Sequence, residues 1–600
     1  MLRSKLKEED KWDLTKYFKD DKEYERMYDE TLNLLEDIVS RKGTIMRSAN
    51  DLYEFLVLDD KLSINLEKIY VYSYLYHYSD TTDEKGKILK DKADKLDEKI
   101  TSDTSFIRSE MLSVKYDYVL KLIEEDERLK FYAFSLEKLF RYEKHTLSEA
   151  EEKIISLASN AMGGTHNCFS ALDNADAKFG FVKVNGKDVE LTHSNYIKLV
   201  SDKDREVRKS VFLKYYEFFK NHYNTISEMY KGKVKEDLFM STVRNFNSPL
   251  EMSLYRDNID KSVYTNLIST IHDNLKPLHK YMKLRKDYFG LDEMHMYDIY
   301  MDMVDGETRK FTFEEARDIV LEAVSPLGNQ YVEDLKKAFS NRWIDKYPND
   351  GKRSGAYQWG SYGVDPYVSI NFEGTEDSVS TLAHELGHAM HSYYSDKSQE
   401  YVYAGYPIFL AEIASTVNEV LLNDYMVKHA ESDEEKLLYI TSFLDKFRST
   451  VYRQTQFAEF EMIAHDMEQN GEALTPESLG KVYFDINKMY YGDDIVSDDE
   501  IKYEWSRVPH FYTPFYVYKY ATGFCAALAI ANNILSNKEG ARLKYLNFLK
   551  AGGSKYPLET LKDCGVDMTS KEPIESAINL FEEKLNQACE IVKRVKKDGK

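Results

Sequence analysis

His384, Glu385 and His388 form the pattern His-Glu-x-x-His within Thr381–His391. On an α-helix, residues four apart share a face and lie about 6 Å apart along the axis. Two imidazoles so placed can hold one zinc ion, each at about 2.0–2.1 Å. Glu385, one position after the first imidazole, could take a proton from a water at that ion. Chance supplies on the order of 0.03 such matches in a chain of this length and histidine content. Incidental histidines on a packed helix are therefore the weaker reading.

A zinc that hydrolyses takes a third protein ligand and keeps one position open. Residues 408–428 read as a second helix, on which Glu412, Ser415, Thr416 and Glu419 share a polar face within an otherwise apolar segment. Glu412 is the candidate third ligand, and Glu419 a candidate outer acceptor that orients a ligand imidazole. An exposed acidic stripe is the plain alternative. His391 competes for the third place, but it lies seven residues from His384, about 10.5 Å along the axis. Three rings so spaced do not easily converge on one ion, so His391 is read as a structural or substrate-facing neighbour of the ligands. An astacin- or matrixin-like site needs a glycine three residues after the second motif histidine and a further histidine three later. Those places hold His391 and Tyr394, and the Gly-x-Met-Glu-Asn signature of large aminopeptidases does not occur.

The elements that must carry these groups can be outlined. Asn371–Thr375 reads as a strand end, a turn and an N-cap, and Glu376 and Asp377 suit the positive end of the helix that follows. Val379, Leu382, Ala383, Leu386, Met390 and Tyr393 recur at helical spacing. They predict one packed face, with His384, Glu385 and His388 on the other. Residues 346–375 are the one marked change of composition, rich in Gly, Pro and Asp. There, Pro366–Phe372 should be a strand. As an edge it could pair through Tyr367 and Ser369 with an extended peptide backbone; a purely structural strand is the alternative.

A second segment suits the same chemistry. Peptide hydrolysis builds negative charge on the carbonyl oxygen, and a phenol that titrates near about pH 10 keeps a proton to donate to it. His510, Tyr512, Tyr516 and Tyr518 lie on a loop-to-helix turn that fits this role, although an aromatic packing cluster would give the same string.

The rest of the chain sets limits. At 600 residues, with 42 % hydrophobic and 31 % charged content, it is globular and long enough for a substantial core. Only 11 Pro and 26 Gly argue against a turn-rich all-β protein. A net charge of −22 repels nucleic acid and could draw cationic peptides, though a solubility charge is the simpler reading. Cys168, Cys525, Cys564 and Cys589 have no metal-knuckle spacing and read as reduced thiols of a cytoplasmic protein. The N-terminus lacks the apolar core of a signal peptide. The apolar run Phe524–Ala531 is far below the ~18 residues of a membrane span.

Along the chain, residues 10–160 read as successive amphipathic helices. Tyr70, Tyr72, Tyr74, Tyr76 and Tyr78 alternate like a strand but are read as a buried tyrosine-lined helix, with a strand as the alternative. Phe181–Leu191 is a hairpin around Asn185-Gly186. Thr312 and Glu315 form a capping box. The predicted domains are 1–195, helical and ending in the hairpin, and 196–590, catalytic, followed by a basic tail at 591–600.

The strings Pro366–Asn371, Leu382–His391, Phe409–Glu419 and His510–Gly523 together resemble the oligoendopeptidase F group of thimet-oligopeptidase-like zinc peptidases, over roughly 200–585. The resemblance implies a mostly α, two-lobed, zincin-type fold with a deep central substrate channel and a small β-sheet beside the zinc helix. It implies cytoplasmic cleavage of oligopeptides at internal bonds; an exopeptidase of the same fold is the alternative. One Zn2+ per chain would be held by His384, His388 and Glu412, with Glu385 as base and His510 and nearby tyrosines meeting the substrate. No nucleic acid or membrane is expected as a partner, and the oligomeric state stays open.

Overall fold

The computed structural model describes residues 2–304 and 309–598. The chain is mostly helical. Near the N-terminus, α1 (Asp21–Ser40), α2 (Ala49–Ser79) and α3 (Glu84–Asp103) pack side by side. The alternating tyrosines lie on α2. At helical spacing they sort into two rows four residues apart. Tyr70 and Tyr74 stack at 4.4 Å and both meet Trp359 edge-on. Tyr72 packs on Phe18 at 4.9 Å and on Tyr24 at 5.8 Å. Tyr72 is core and the other four are half-buried around it; Tyr70 and Tyr74 fasten α2 to Trp359, ahead of the His384 helix.

The hairpin pairs β1 (Phe181–Val184) with β2 (Lys187–Glu190), antiparallel from Phe181↔Glu190 to Val184↔Lys187. Asn185 and Gly186 supply the positive φ values of the tight turn, 50° and 77°. Thr192 caps the helix His193–Val200. Further helices include α4 (Tyr223–Val243) and the helix Phe313–Ala323, whose Thr312 and Glu315 form a capping box.

A small sheet then forms from β3 (Ile344–Asp345), β4 (Tyr357–Trp359) and β5 (Tyr367–Ser369), in the order β3-β5-β4. This corrects one expectation. β5 is the central strand, parallel to β3 and antiparallel to β4. Tyr367 and Ser369 are each 1 % exposed, and the Tyr367 hydroxyl donates to the Asp13 carbonyl. With both edges of β5 taken, neither residue can offer its backbone to a peptide; the edge strands are β3 and β4.

α5 (Glu376–Ser398) follows. The Thr375 side chain accepts from the Ser378 N–H, and Glu376 and Asp377 occupy the first turn. Then come α6 (Ile408–His429), α7 (Arg453–Gln469), α8 (Tyr518–Leu535) and α9 (Glu572–Asp598). α9 continues through most of the predicted tail, whose last residues, Gly599 and Lys600, lie outside the described residues.

By internal contacts the chain divides into two compact units. The first comprises Met1–Thr146, Thr308–Tyr425 and Ile530–Gly565; the second comprises Leu147–Glu307, Met426–Ala529 and Val566–Lys600. A boundary near 195 coincides with neither, because helix His193–Val200 runs across that position inside the second unit. Among the described residues, no helix is long and apolar enough to cross a membrane.

Candidate active site

α5 and α6 cross in the first unit, and Gly387 sets how closely. A Cβ there would lie 2.5 Å from the Ser415 Cα and 2.7 Å from the Ala414 carbonyl oxygen. Only a hydrogen fits, so the two backbones touch. Asn418 fastens the crossing: its amide donates to the Ala383 carbonyl at 3.1 Å, and its oxygen accepts from the Tyr331 hydroxyl at 3.2 Å. Neither Gly387 nor Asn418 is among the candidates that the sequence offers. The motif's own small residue was the available signal for close helix approach.

The crossing brings three donor atoms together. His384 Nε2 and His388 Nε2 are 3.2 Å apart, and a Glu412 oxygen lies 3.6 Å and 3.7 Å from them. Ligands on one tetrahedral zinc, each at about 2.05 Å, would be about 3.3 Å apart. Among the described residues, this is the one group of His, Cys, Asp and Glu whose ligand atoms all lie within 4.8 Å of one another. The donors are two nitrogens and one carboxylate oxygen, the chemistry of an open zinc site.

Electrostatics favours the same set. The Glu419 carboxylate takes a hydrogen bond from His384 Nδ1, so that nitrogen carries the proton and Nε2 keeps its lone pair. Burial works against a charged His384, but Glu419, Glu385 and Glu412 outweigh it and raise its pKa above the ordinary value. Burial, and then the neighbouring His384, pull His388 down to about 3. His388 is therefore neutral at neutral pH and free to coordinate. Glu385 is 6 % exposed. Burial pushes its carboxyl up to about 7, against the pull of His384 and with Glu412 and Glu419 adding to it. Glu385 Oε2 is buried without a hydrogen-bond partner, an acceptor left over beside the ligand set.

His391 lies apart from that set. It is completely buried, stacked on Tyr406 at 3.6 Å and beside Phe548 at 5.3 Å. Neither ring nitrogen has a hydrogen-bond partner. It holds neither the ligands nor an exposed face, which leaves packing as its role.

The His510–Tyr518 segment belongs to the second unit. Tyr512 is 6 % exposed and stacks on Phe169 at 4.5 Å; Tyr518 is fully buried against Tyr264 at 5.1 Å. These two tyrosines pack the core and are not available to a substrate. His510 is exposed and Tyr516 half-buried. They stack at 5.9 Å, and Tyr520 completes the group, its hydroxyl 3.4 Å from His510 Nε2 and its ring 5.5 Å from Tyr516. Tyr520 is absent from the sequence candidates. Its spacing of four from Tyr516 on an incipient helix was the signal that sets it apart from Tyr518.

The sequence model of Peptidase family M3 matches residues 198–580, and that of Oligopeptidase F matches residues 110–179. Oligopeptidase PepF of Bacillus subtilis is 42 % identical over 99 % of this chain and 89 % of its own length. Group B oligopeptidase PepB of Streptococcus agalactiae is 39 % identical over 97 % of each chain. Among solved structures, a peptidase from Chlamydophila abortus superposes with a TM-score of 0.93 at 36 % identity, covering 98 % of this chain and 99 % of that one. Oligoendopeptidase-F from Enterococcus faecium gives 0.74 at 33 % identity, covering 96 % and 99 %.

Proposed function

Because the chain belongs to Peptidase family M3, as an oligopeptide-hydrolysing metallopeptidase of the oligopeptidase F kind, we propose that it is a zinc endopeptidase cutting internal bonds of short peptides. His384, His388 and Glu412 hold the ion, within the catalytic segment 196–590. The observation that carries this reading is the convergence of their three ligand atoms at 3.2 to 3.7 Å beside an unpartnered Glu385 oxygen. The protein acts in the cytoplasm, where its free thiols stay reduced.

Zinc, when bound, supplies Lewis-acid polarisation of the scissile carbonyl and lowers the pKa of its water. The chain's own residues do the rest. Glu385 takes the proton of the attacking water on Oε2 and returns it to the departing amine. Glu419 keeps the His384 ring in the tautomer that coordinates. His510, Tyr516 and Tyr520 offer hydrogen-bond donors to the substrate carbonyl or backbone.

The deciding experiment is Glu385→Gln. The variant should bind one zinc per chain and lose on the order of 10²–10⁴ in kcat on an internally quenched, terminally blocked peptide. Native turnover in the zinc-loaded variant would sink the assignment. Product masses from the blocked peptide report whether the cuts are internal.

A further inference from the structure

His510, Tyr516 and Tyr520 meet because the backbone between them turns at Phe515. Phe515 has φ 54°, the left-handed region that side chains other than glycine disfavour. A residue is held there only when its surroundings over-determine it. Here they do. The Phe515 ring is buried beside His465 at 4.6 Å and edge-on to Tyr264 at 5.8 Å. The carbonyl before it, on Pro514, accepts from the Ser253 hydroxyl at 3.1 Å. Its own N–H donates to Glu461 Oε1 at 2.8 Å.

Glu461 sits in the middle of α7 with no exposed surface. Its other oxygen, Oε2, has no hydrogen-bond partner. The nearby cation Lys233 is engaged by Asp237 at 2.9 Å, and Asp237 also meets His465 at 3.2 Å. Burial drives the Glu461 carboxyl well above the usual carboxylate range, against the pull of the Phe515 N–H. A buried acid without a counter-ion, outside the metal site, calls for a reason.

We infer that Glu461 is the positioning residue of the His510–Tyr516–Tyr520 group: by holding the Phe515 N–H it fixes the left-handed turn that sets the two tyrosines against His510. The inference rests on the reading that this group serves the substrate carbonyl. Glutamine keeps the acceptor oxygen and the volume. Leucine keeps most of the volume but leaves the Phe515 N–H buried and unpaired.

The test uses the zinc-loaded full chain, with kcat and KM on a blocked quenched peptide and hydrogen exchange across residues 508–520. Glu461→Leu should lower kcat on the order of 10²-fold with little change in KM, the scale of a reacting group displaced by about 1 Å. Exchange should quicken in 508–520 while zinc content holds. Glu461→Gln should recover most of that loss and the slow exchange, which a residue that merely fills space would not require. If Glu461→Leu does not fold, Glu461→Met, unbranched and also without an acceptor oxygen, carries the same expectations. A folded Leu or Met variant with native kcat overturns the inference, as does a Gln variant no better than Leu. His510→Gln and Tyr520→Phe separate the two levels: loss of kcat there with none in Glu461→Leu overturns the positioning role alone. Native kcat in both overturns the role of the group itself, and the inference with it.

Discussion

At the scale of single residues, the metal-motif helix carries two kinds of histidine. His384 and His388 have aimed nitrogens; His391 has none. A neutral imidazole without partners, sealed between Tyr406 and Phe548, is costly to protonate. Burial, with the nearby His388, pulls His391 down to about 3, whereas an unfolded histidine titrates near about 6.5. Below about pH 6.5 the unfolded chain therefore binds a proton that the folded ring refuses, and stability is lost as pH falls from there toward 3. At pH 5 the gap amounts to about 2 kcal/mol. His391→Phe keeps the aromatic stack and removes the titration. In metal-free protein it should lose less stability than the native chain between pH 7 and pH 5, by that amount in denaturant midpoints. Parallel curves for the two proteins would show that the ring protonates freely in the fold. The identity of the ligand candidates was legible because motif spacing translates directly into helix geometry. The isolation of His391 was legible only in part: ten ångströms of helix excluded it from the metal, but its aromatic neighbours come from distant segments.

At the scale of elements, the start of α5 at Thr375 and its course to Tyr393 were legible because the N-cap, first-turn acids and apolar periodicity agree, whereas no signal marked its end at Ser398. The place of β5 was not, since strand order is decided by which segments return to pair, here β3 and β4 on its two sides. The hydrophobic run announced a strand and was silent on edge or centre. Likewise the turn at Phe515 hides the sorting of Tyr516 and Tyr520 from Tyr518, which follows from helical phase. The crossing of α5 and α6 carries a prediction of its own. Gly387→Ala places a methyl 2.5 Å from the Ser415 Cα, and backbone cannot swing aside as a side-chain tip can. α6 must retreat, at about 1–3 kcal/mol for such overpacking, and Glu412 retreats with it. Helix content by circular dichroism should stay native while zinc affinity, measured against a competing chelator, falls at least about tenfold, as for other losses of ligand orientation. Native affinity in a folded Gly387→Ala protein would mean that the crossing does not set the ligand geometry.

At the scale of the whole molecule, the chain interleaves its units, each built from three separated segments. Along the sequence the hairpin at 181–191 suggests a seam near 195, while contact follows long-range returns. Helical class was legible from composition, because few Pro and Gly leave few turns. The interleaving was not, because no local signal marks where a chain will come back. It also separates the residues proposed for the chemistry. His384, Glu385, His388, Glu412 and Glu419 all lie in the first unit, and His510, Tyr516 and Tyr520 in the second. Metal affinity and transition-state donation should then separate cleanly under mutation. Glu412→Gln replaces an anionic ligand with a neutral amide and should weaken zinc binding strongly, with kcat recovering as zinc is raised toward saturation. Tyr520→Phe should leave zinc affinity at its native value and lower kcat by about 10²–10³ at any zinc concentration, the cost of one lost donor to a developing oxyanion. Zinc titrations read by both bound metal and turnover distinguish the two patterns. If Tyr520→Phe loses zinc along with activity, or regains its kcat at high zinc, the proposed role of Tyr520 as a donor separate from the metal ligands is wrong.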